Sequence, residues 1–130
     1  GVGDAILPQL ARAPRAPVGK LLRFTRDGGI PGDNPDANSP VYARGLRNTQ
    51  AIAWLPDGSL LGTDHGPSGM EQEAGRHGQD ELNLIRANAD YGWPDVTGWD
   101  TADGITSPIW MWEQPIAPAG LALRPSATPD

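Results

Sequence analysis

Ala51-Ile52-Ala53-Trp54-Leu55-Pro56-Asp57-Gly58-Ser59-Leu60-Leu61-Gly62-Thr63 is the stretch that decides the fold class. Two apolar runs, Ala51 to Leu55 and Ser59 to Thr63, flank Pro56-Asp57-Gly58, whose residues supply the fixed and left-handed dihedrals of a tight turn. The spacing predicts a β-hairpin. Its second strand runs straight into Asp64-His65-Gly66-Pro67, so a polar corner sits at a strand end, where a rigid scaffold can present it.

Outward from the hairpin, the same short-strand pattern recurs. Gly19 to Thr25 is read as a strand closed by the turn Asp27-Gly28-Gly29, and Ile30 to Pro40 as a loop. Tyr42 to Leu46 is a short strand that delivers Arg47-Asn48 at its end. Ser68 to Gln79 has no period and is read as an exposed loop, after which Glu81 to Ile85 alternates as a strand. Asn88 to Trp99 is turn-rich and aromatic. Ile109 to Trp112 and Gly120 to Leu123 are read as two further strands. Residues 1–18, with Pro8, Pro14 and Pro17, form a connector with at most a helical turn around Ile6 to Ala11, and residues 124–130 form a tail.

Short strands with turns every 8 to 12 residues or so indicate an all-β sandwich, barrel or propeller. The 17 glycines and 14 prolines approach the level of disordered chains, but five tryptophans and the aliphatic runs between the breakers favour a folded domain. At about 40 to 45 residues per four-stranded blade, the 130 residues would supply about three blades. That is fewer than the four or so that close a ring, so the chain reads as part of a larger propeller. The five tryptophans are read first as core and blade packing, with a pocket wall for a flat ligand or sugar as the alternative.

Composition excludes several classes. The formal net charge is −6, and Lys and Arg do not cluster, so the electrostatic footprint of a nucleic-acid binder is missing. No apolar run approaches the ~20 residues needed to span a bilayer. Without cysteine there is no disulfide framework and no thiolate nucleophile. The glycine fingerprints of phosphate and dinucleotide sites, the nucleophile elbow and the zinc-binding helix motif are all lacking.

Three polar clusters remain as candidates. Arg47-Asn48 offers a guanidinium fork beside an amide, suited to a carboxylate-bearing or quinone-bearing ligand, although a solvated strand end explains it as well. Gly66-Pro67 could aim two carbonyls at a hard cation, and on spacing alone a plain tight turn accounts for it. Asp80 and Glu81, with Asp90, Asp95, Asp100 and Asp103 downstream, supply carboxylates for calcium or simply a solvated face. Asp33-Asn34-Pro35-Asp36-Ala37 is no EF-hand, because Pro35 and Ala37 stand where that loop needs oxygen ligands. Any calcium site would be non-contiguous.

In order and spacing, GKLLRF (Gly19 to Phe24), GGIPGDNP (Gly28 to Pro35), GLRNTQ (Gly45 to Gln50), DHGPSG (Asp64 to Gly69), DELNLI (Asp80 to Ile85), DYGWP (Asp90 to Pro94) and IAPAGLAL (Ile116 to Leu123) resemble the glucose/sorbosone dehydrogenases, the soluble quinoprotein aldose sugar dehydrogenases. The resemblance covers residues 19–123. It implies a segment of a six-bladed β-propeller that binds pyrroloquinoline quinone (PQQ) and calcium. Such a protein oxidises aldose sugars at C1 to the lactone and passes electrons to an external acceptor, in the periplasm or outside the cell.

By position, the resemblance assigns Arg47 and Asn48 to the quinone and the carbonyls of Gly66 and Pro67 to its calcium. It assigns Asp80, Glu81 and Tyr91 to a second, structural calcium, with Glu81 the side-chain ligand and Tyr91 giving a carbonyl. It assigns no catalytic residue here: the family's general base, a histidine on an earlier blade, has no counterpart, and later basic cofactor ligands are missing too. The expectation is a central fragment that is inactive alone. The alternatives are a non-enzymatic propeller module for ligand binding or adhesion, and a plain calcium-binding β-domain.

Overall fold

The computed structural model describes residues 3–124, and six short strands carry the architecture. They are β1 (Lys20–Leu22), β2 (Val41–Arg44), β3 (Thr49–Trp54), β4 (Leu60–Asp64), β5 (Asp80–Ile85) and β6 (Trp110–Trp112). β1 and β2 form an antiparallel pair; β3, β4, β5 and β6 form a four-stranded sheet in sequence order. Such a meander is the repeating unit of a propeller blade. The only helices among the described residues are single 3-10 turns at Pro8–Ala11 and Glu71–Glu73. None is long and apolar enough to cross a membrane.

The deciding hairpin forms as its sequence requires. Leu55 N–H donates to Ser59 O at 2.8 Å, Ser59 N–H to Asp57 Oδ1 at 2.9 Å, and Gly58 takes the left-handed φ of 85°. Trp54 pairs with Leu60 and Ala53 with Leu61. The all-β expectation holds, and the length that suggested about three blades resolves into one complete four-stranded sheet and one two-stranded pair. Long connections, notably those between β1 and β2 and between β5 and β6, occupy the remaining chain.

Gly120 to Leu123 is not a strand. It follows a segment, Glu113 to Ala119, that turns over the His65-Gly66-Pro67 corner, with Ile116 and Ala117 N–H groups donating to Asp80 Oδ2 at 2.7 Å each. With Pro115 and Pro118 lacking N–H groups, and no neighbouring strand among the described residues, it has no ladder to join. Arg124 is the only tail residue described; the rest of the tail expectation lies outside the described residues.

The core is small: Ala43, Leu46, Leu60, Ile85 and Tyr91, with Leu21, Tyr42 and Ala89 packed against it. It lies between the two-stranded pair and the inner strands of the sheet. The segment Asn88 to Trp93 is laced along β2: Arg44 N–H donates to Ala89 O, Tyr91 N–H to Arg44 O and Trp93 N–H to Gly45 O, at 2.9 to 3.0 Å. Tyr91 closes its end by donating its hydroxyl to Leu84 O at 2.6 Å. Burial opposes the charge of Asp90, but Arg12, the Gly92 N–H and Arg44 together hold its carboxyl below the usual value.

Residues 3–18 are packed rather than loose: Ala11 is fully buried, and Asp4 accepts the Trp93 indole N–H at 3.0 Å. Trp93 is buried, whereas Trp54, Trp99 and Trp110 are more than half exposed. β3 is an edge strand whose residues alternate between half-buried and exposed, and Trp54 falls on its exposed side.

Leu46, 2% exposed, joins the core to the corner that carries Arg47. Leu46→Ala is expected to destabilise the fold by about 2 to 5 kcal/mol in chemical denaturation. A loss within about 0.5 kcal/mol, typical of a surface change, would remove Leu46 from the core.

Candidate cofactor and cation site

Two strand ends meet at a buried carboxylate. Asp64, the last residue of β4, accepts the backbone N–H groups of Arg47 (2.8 Å) and Asn48 (2.9 Å) and the Thr49 hydroxyl (2.9 Å). Burial pushes its carboxyl up to about 6 against the pull of these donors. The chain just before β3 is thereby tied to the start of the His65-Gly66-Pro67 turn, and His65 N–H returns the contact to Asn48 O at 3.2 Å.

Asp80 holds the other side of that turn. Its Oδ1 accepts Gly66 N–H at 2.8 Å while Oδ2 takes the two amides of Ile116 and Ala117. Gly66 must be glycine because a Cβ there would run into the carbonyl oxygen of Gly78.

Arg47 is largely buried and held from three sides. Its Nε donates to Glu73 Oε1 at 2.5 Å, its Nη2 to Ser68 Oγ at 2.6 Å, and its guanidinium lies over the Trp93 ring at 5.6 Å from the centroid. Arg76 also lies over that ring, at 5.4 Å, and donates to Pro94 O at 2.9 Å. Asn48 is half-buried; its Oδ1 accepts from Gln50 Nε2 at 2.9 Å.

Arg47, Gly66, Pro67, Glu81 and Tyr91 all border one cavity of about 10 Å³, room for a single water or a small ion. Glu81 Oε1 accepts Gly98 N–H and its Oε2 accepts Asn83 Nδ2. Burial, reinforced by Asp64 and Asp80, pushes the Glu81 carboxyl up to about 7. Nearby, Asn83 Oδ1 and His65 Nε2 are buried without a hydrogen-bond partner.

The structure thus brings five of the seven sequence-derived site residues around one cavity. Asn48 lies beside it in the chain, and Asp80 lies behind the turn with its carboxylate filled by amides. Sequence reasoning missed Glu73 and Ser68, assigned to an exposed loop. Glu73 is fully buried, and its Oε2 also accepts the N–H groups of Ser68 and Met70 at 2.7 and 3.2 Å. The available signal was the three-residue spacing from Met70 to Glu73, over which a glutamate reaches back to cap a helical turn.

The family model of the glucose/sorbosone dehydrogenases matches residues 1–128. The chain belongs to the glucose/sorbosone dehydrogenase family. Over 90 residues it is 41% identical to quinoprotein glucose dehydrogenase B of Acinetobacter calcoaceticus, a match covering 67% of this chain and 17% of that protein. The PQQ-bound aldose sugar dehydrogenase of Streptomyces coelicolor superposes with a TM-score of 0.76 at 32% identity, over 85% of this chain and 30% of that one. An oxidoreductase (glucose dehydrogenase) of Thermus thermophilus gives 0.85 at 35% identity, over 93% and 37%. The chain therefore spans well under half the length of these relatives, and its fold is a segment of their β-propeller.

The donor set fits calcium in part. Among the described residues no three His, Asp or Glu side chains cluster as a metal site, so a cation here would need main-chain carbonyls as well. The Glu81 carboxylate at the cavity and the partnerless Asn83 oxygen beside it are the side-chain oxygen donors on hand. Asp80 offers little, its carboxylate being committed to three amides.

Gly66→Ala is expected to cost about 1 to 3 kcal/mol, because the turn and Gly78 must move apart. Gly120→Ala, with open space around it, is the matched control. Equal melting temperatures for the two variants would contradict the close approach.

Proposed function

We propose that this chain supplies part of the cofactor cradle of a PQQ-dependent dehydrogenase that oxidises aldoses at C1 to the lactone and hands the electrons to an external acceptor. The observation that carries the reading is the junction at Asp64, which fixes a buried arginine and a glycine-proline carbonyl turn side by side. In this reading Arg47 and Asn48 hold the quinone through charge-assisted and amide hydrogen bonds. The carbonyls of Gly66 and Pro67, two residues that also line a second, larger cavity with Ser68 and His77, hold its calcium there, and Glu81 and Tyr91, beside Asp80, hold a second one at the one-ion cavity. Bound PQQ supplies the two-electron oxidant, and calcium its polarisation. The relatives' names support the cofactor and the sugar class, and a periplasmic or secreted location accompanies the same reading.

The chain's own residues bind and orient but do not move the sugar's proton. A general base must reach the C1 hydroxyl within hydrogen-bond distance. His65 faces inward with a buried Nε2, and the resemblance gives neither His65 nor His77 that role. These 130 residues are therefore expected to be inactive by themselves.

In the full-length natural protein, PQQ with calcium is expected to support dye reduction by an aldose. Arg47→Ala is expected to raise the PQQ dissociation constant about 10-fold to 100-fold, the worth of one or two hydrogen bonds to a charged group. Calcium binding without quinone binding would favour the calcium-binding β-domain, and unchanged affinity in Arg47→Ala would return Arg47 to a strand-end role.

A further inference from the structure

We propose that Glu73, on the loop between β4 and β5, is the positioning residue that aims the Arg47 guanidinium at the quinone, with Ser68 as its partner. This rests on the reading of Arg47 as a quinone contact. An arginine has a long, rotamer-rich side chain, and ordering it on ligand binding costs conformational freedom. Here the ordering is done in advance. Glu73 Oε1 holds Nε, Ser68 Oγ holds Nη2, and Trp93 covers the guanidinium plane.

Glu73 is itself immobilised. It is fully buried, and its second oxygen takes two amides of its own loop, so it cannot follow the arginine if the arginine moves. Of the five guanidinium N–H groups, Nε and one on Nη2 are engaged, and Nη1 reaches His65 O only at 3.5 Å. One N–H on each terminal nitrogen has no acceptor among the described residues. Those are the donors left for a ligand carboxylate or carbonyl.

The pair also makes a charge trade. Glu73 neutralises Arg47, which weakens its long-range pull on an anion, while fixing the direction of its free donors. If orientation dominates, removing Glu73 weakens quinone binding; if neutralisation dominates, removing it tightens binding. The sign of the effect separates the two.

The test is PQQ affinity in the calcium-loaded, full-length apoprotein, read from quenching of tryptophan fluorescence rather than from activity. Glu73→Ala is expected to raise the dissociation constant about 10-fold, or about 1.4 kcal/mol. Glu73→Gln, whose single amide oxygen cannot serve both Nε and the two loop amides, is expected to fall between the parent and Glu73→Ala. In an Arg47→Ala background, Glu73→Ala is expected to add nothing, because its effect passes through the missing guanidinium. Ser68→Ala, a milder change, keeps the test open should Glu73→Ala fail to fold, with an expected rise of about 3-fold.

Tighter binding in Glu73→Ala, an undiminished loss in the Arg47→Ala background, or parent-like affinity in both Ser68→Ala and Glu73→Ala would overturn the positioning role. In those cases a lowered affinity in Arg47→Ala alone would leave the quinone reading standing. Parent-like affinity in Arg47→Ala would sink both.

Discussion

Buried at the end of β4, the Asp64 carboxylate accepts two consecutive backbone amides and a hydroxyl from the chain entering β3. Everything at the candidate site depends on that junction. It fixes the Arg47-Asn48 corner at the residue that leads into the His65-Gly66-Pro67 turn, 16 to 17 residues further along the chain. Removing a solvent-free carboxylate from three donors would leave each of them unsatisfied, at about 1 to 3 kcal/mol apiece. The raised Asp64 carboxyl shows that even with those donors the charge is costly to bury.

Around this junction the site is a lattice of acids that each restrain a different backbone segment. Asp80 ties the glycine-proline turn to the segment that follows β6. Glu73 ties the β4–β5 loop to Arg47, and Glu81 reaches the Thr97-Gly98 turn through Gly98 N–H. Asp90 anchors Arg12 and Arg44. The net charge of −6 read from the sequence thus includes carboxylates that are internal ties rather than a solvated face. The neighbouring core of five residues is small, so polar ties carry a large share of the local order.

The hairpin was legible because its information is local: apolar runs, a proline, an aspartate and a glycine within thirteen residues. The corners were legible because each follows a strand whose end could be located. Glu73 was not, since the Met70 to Glu73 spacing marks a capped turn but not its burial; that depends on Arg47, 26 residues earlier, arriving beside it. Asp80 looked like a metal ligand for the same reason, as its three amide partners come from Gly66, Ile116 and Ala117. Gly120 to Leu123 carries strand-like residues but meets no partner strand among the described residues, and pairing is a property of neighbours rather than of composition.

In the proposed cradle the arginine corner and the glycine-proline corner are two walls of one site. Titration of PQQ into the full-length apoprotein, with and without calcium, tests this most directly. One shared site predicts that calcium tightens PQQ binding about 10-fold or more, and by reciprocity that PQQ tightens calcium binding by the same factor. A PQQ affinity indifferent to calcium would contradict it.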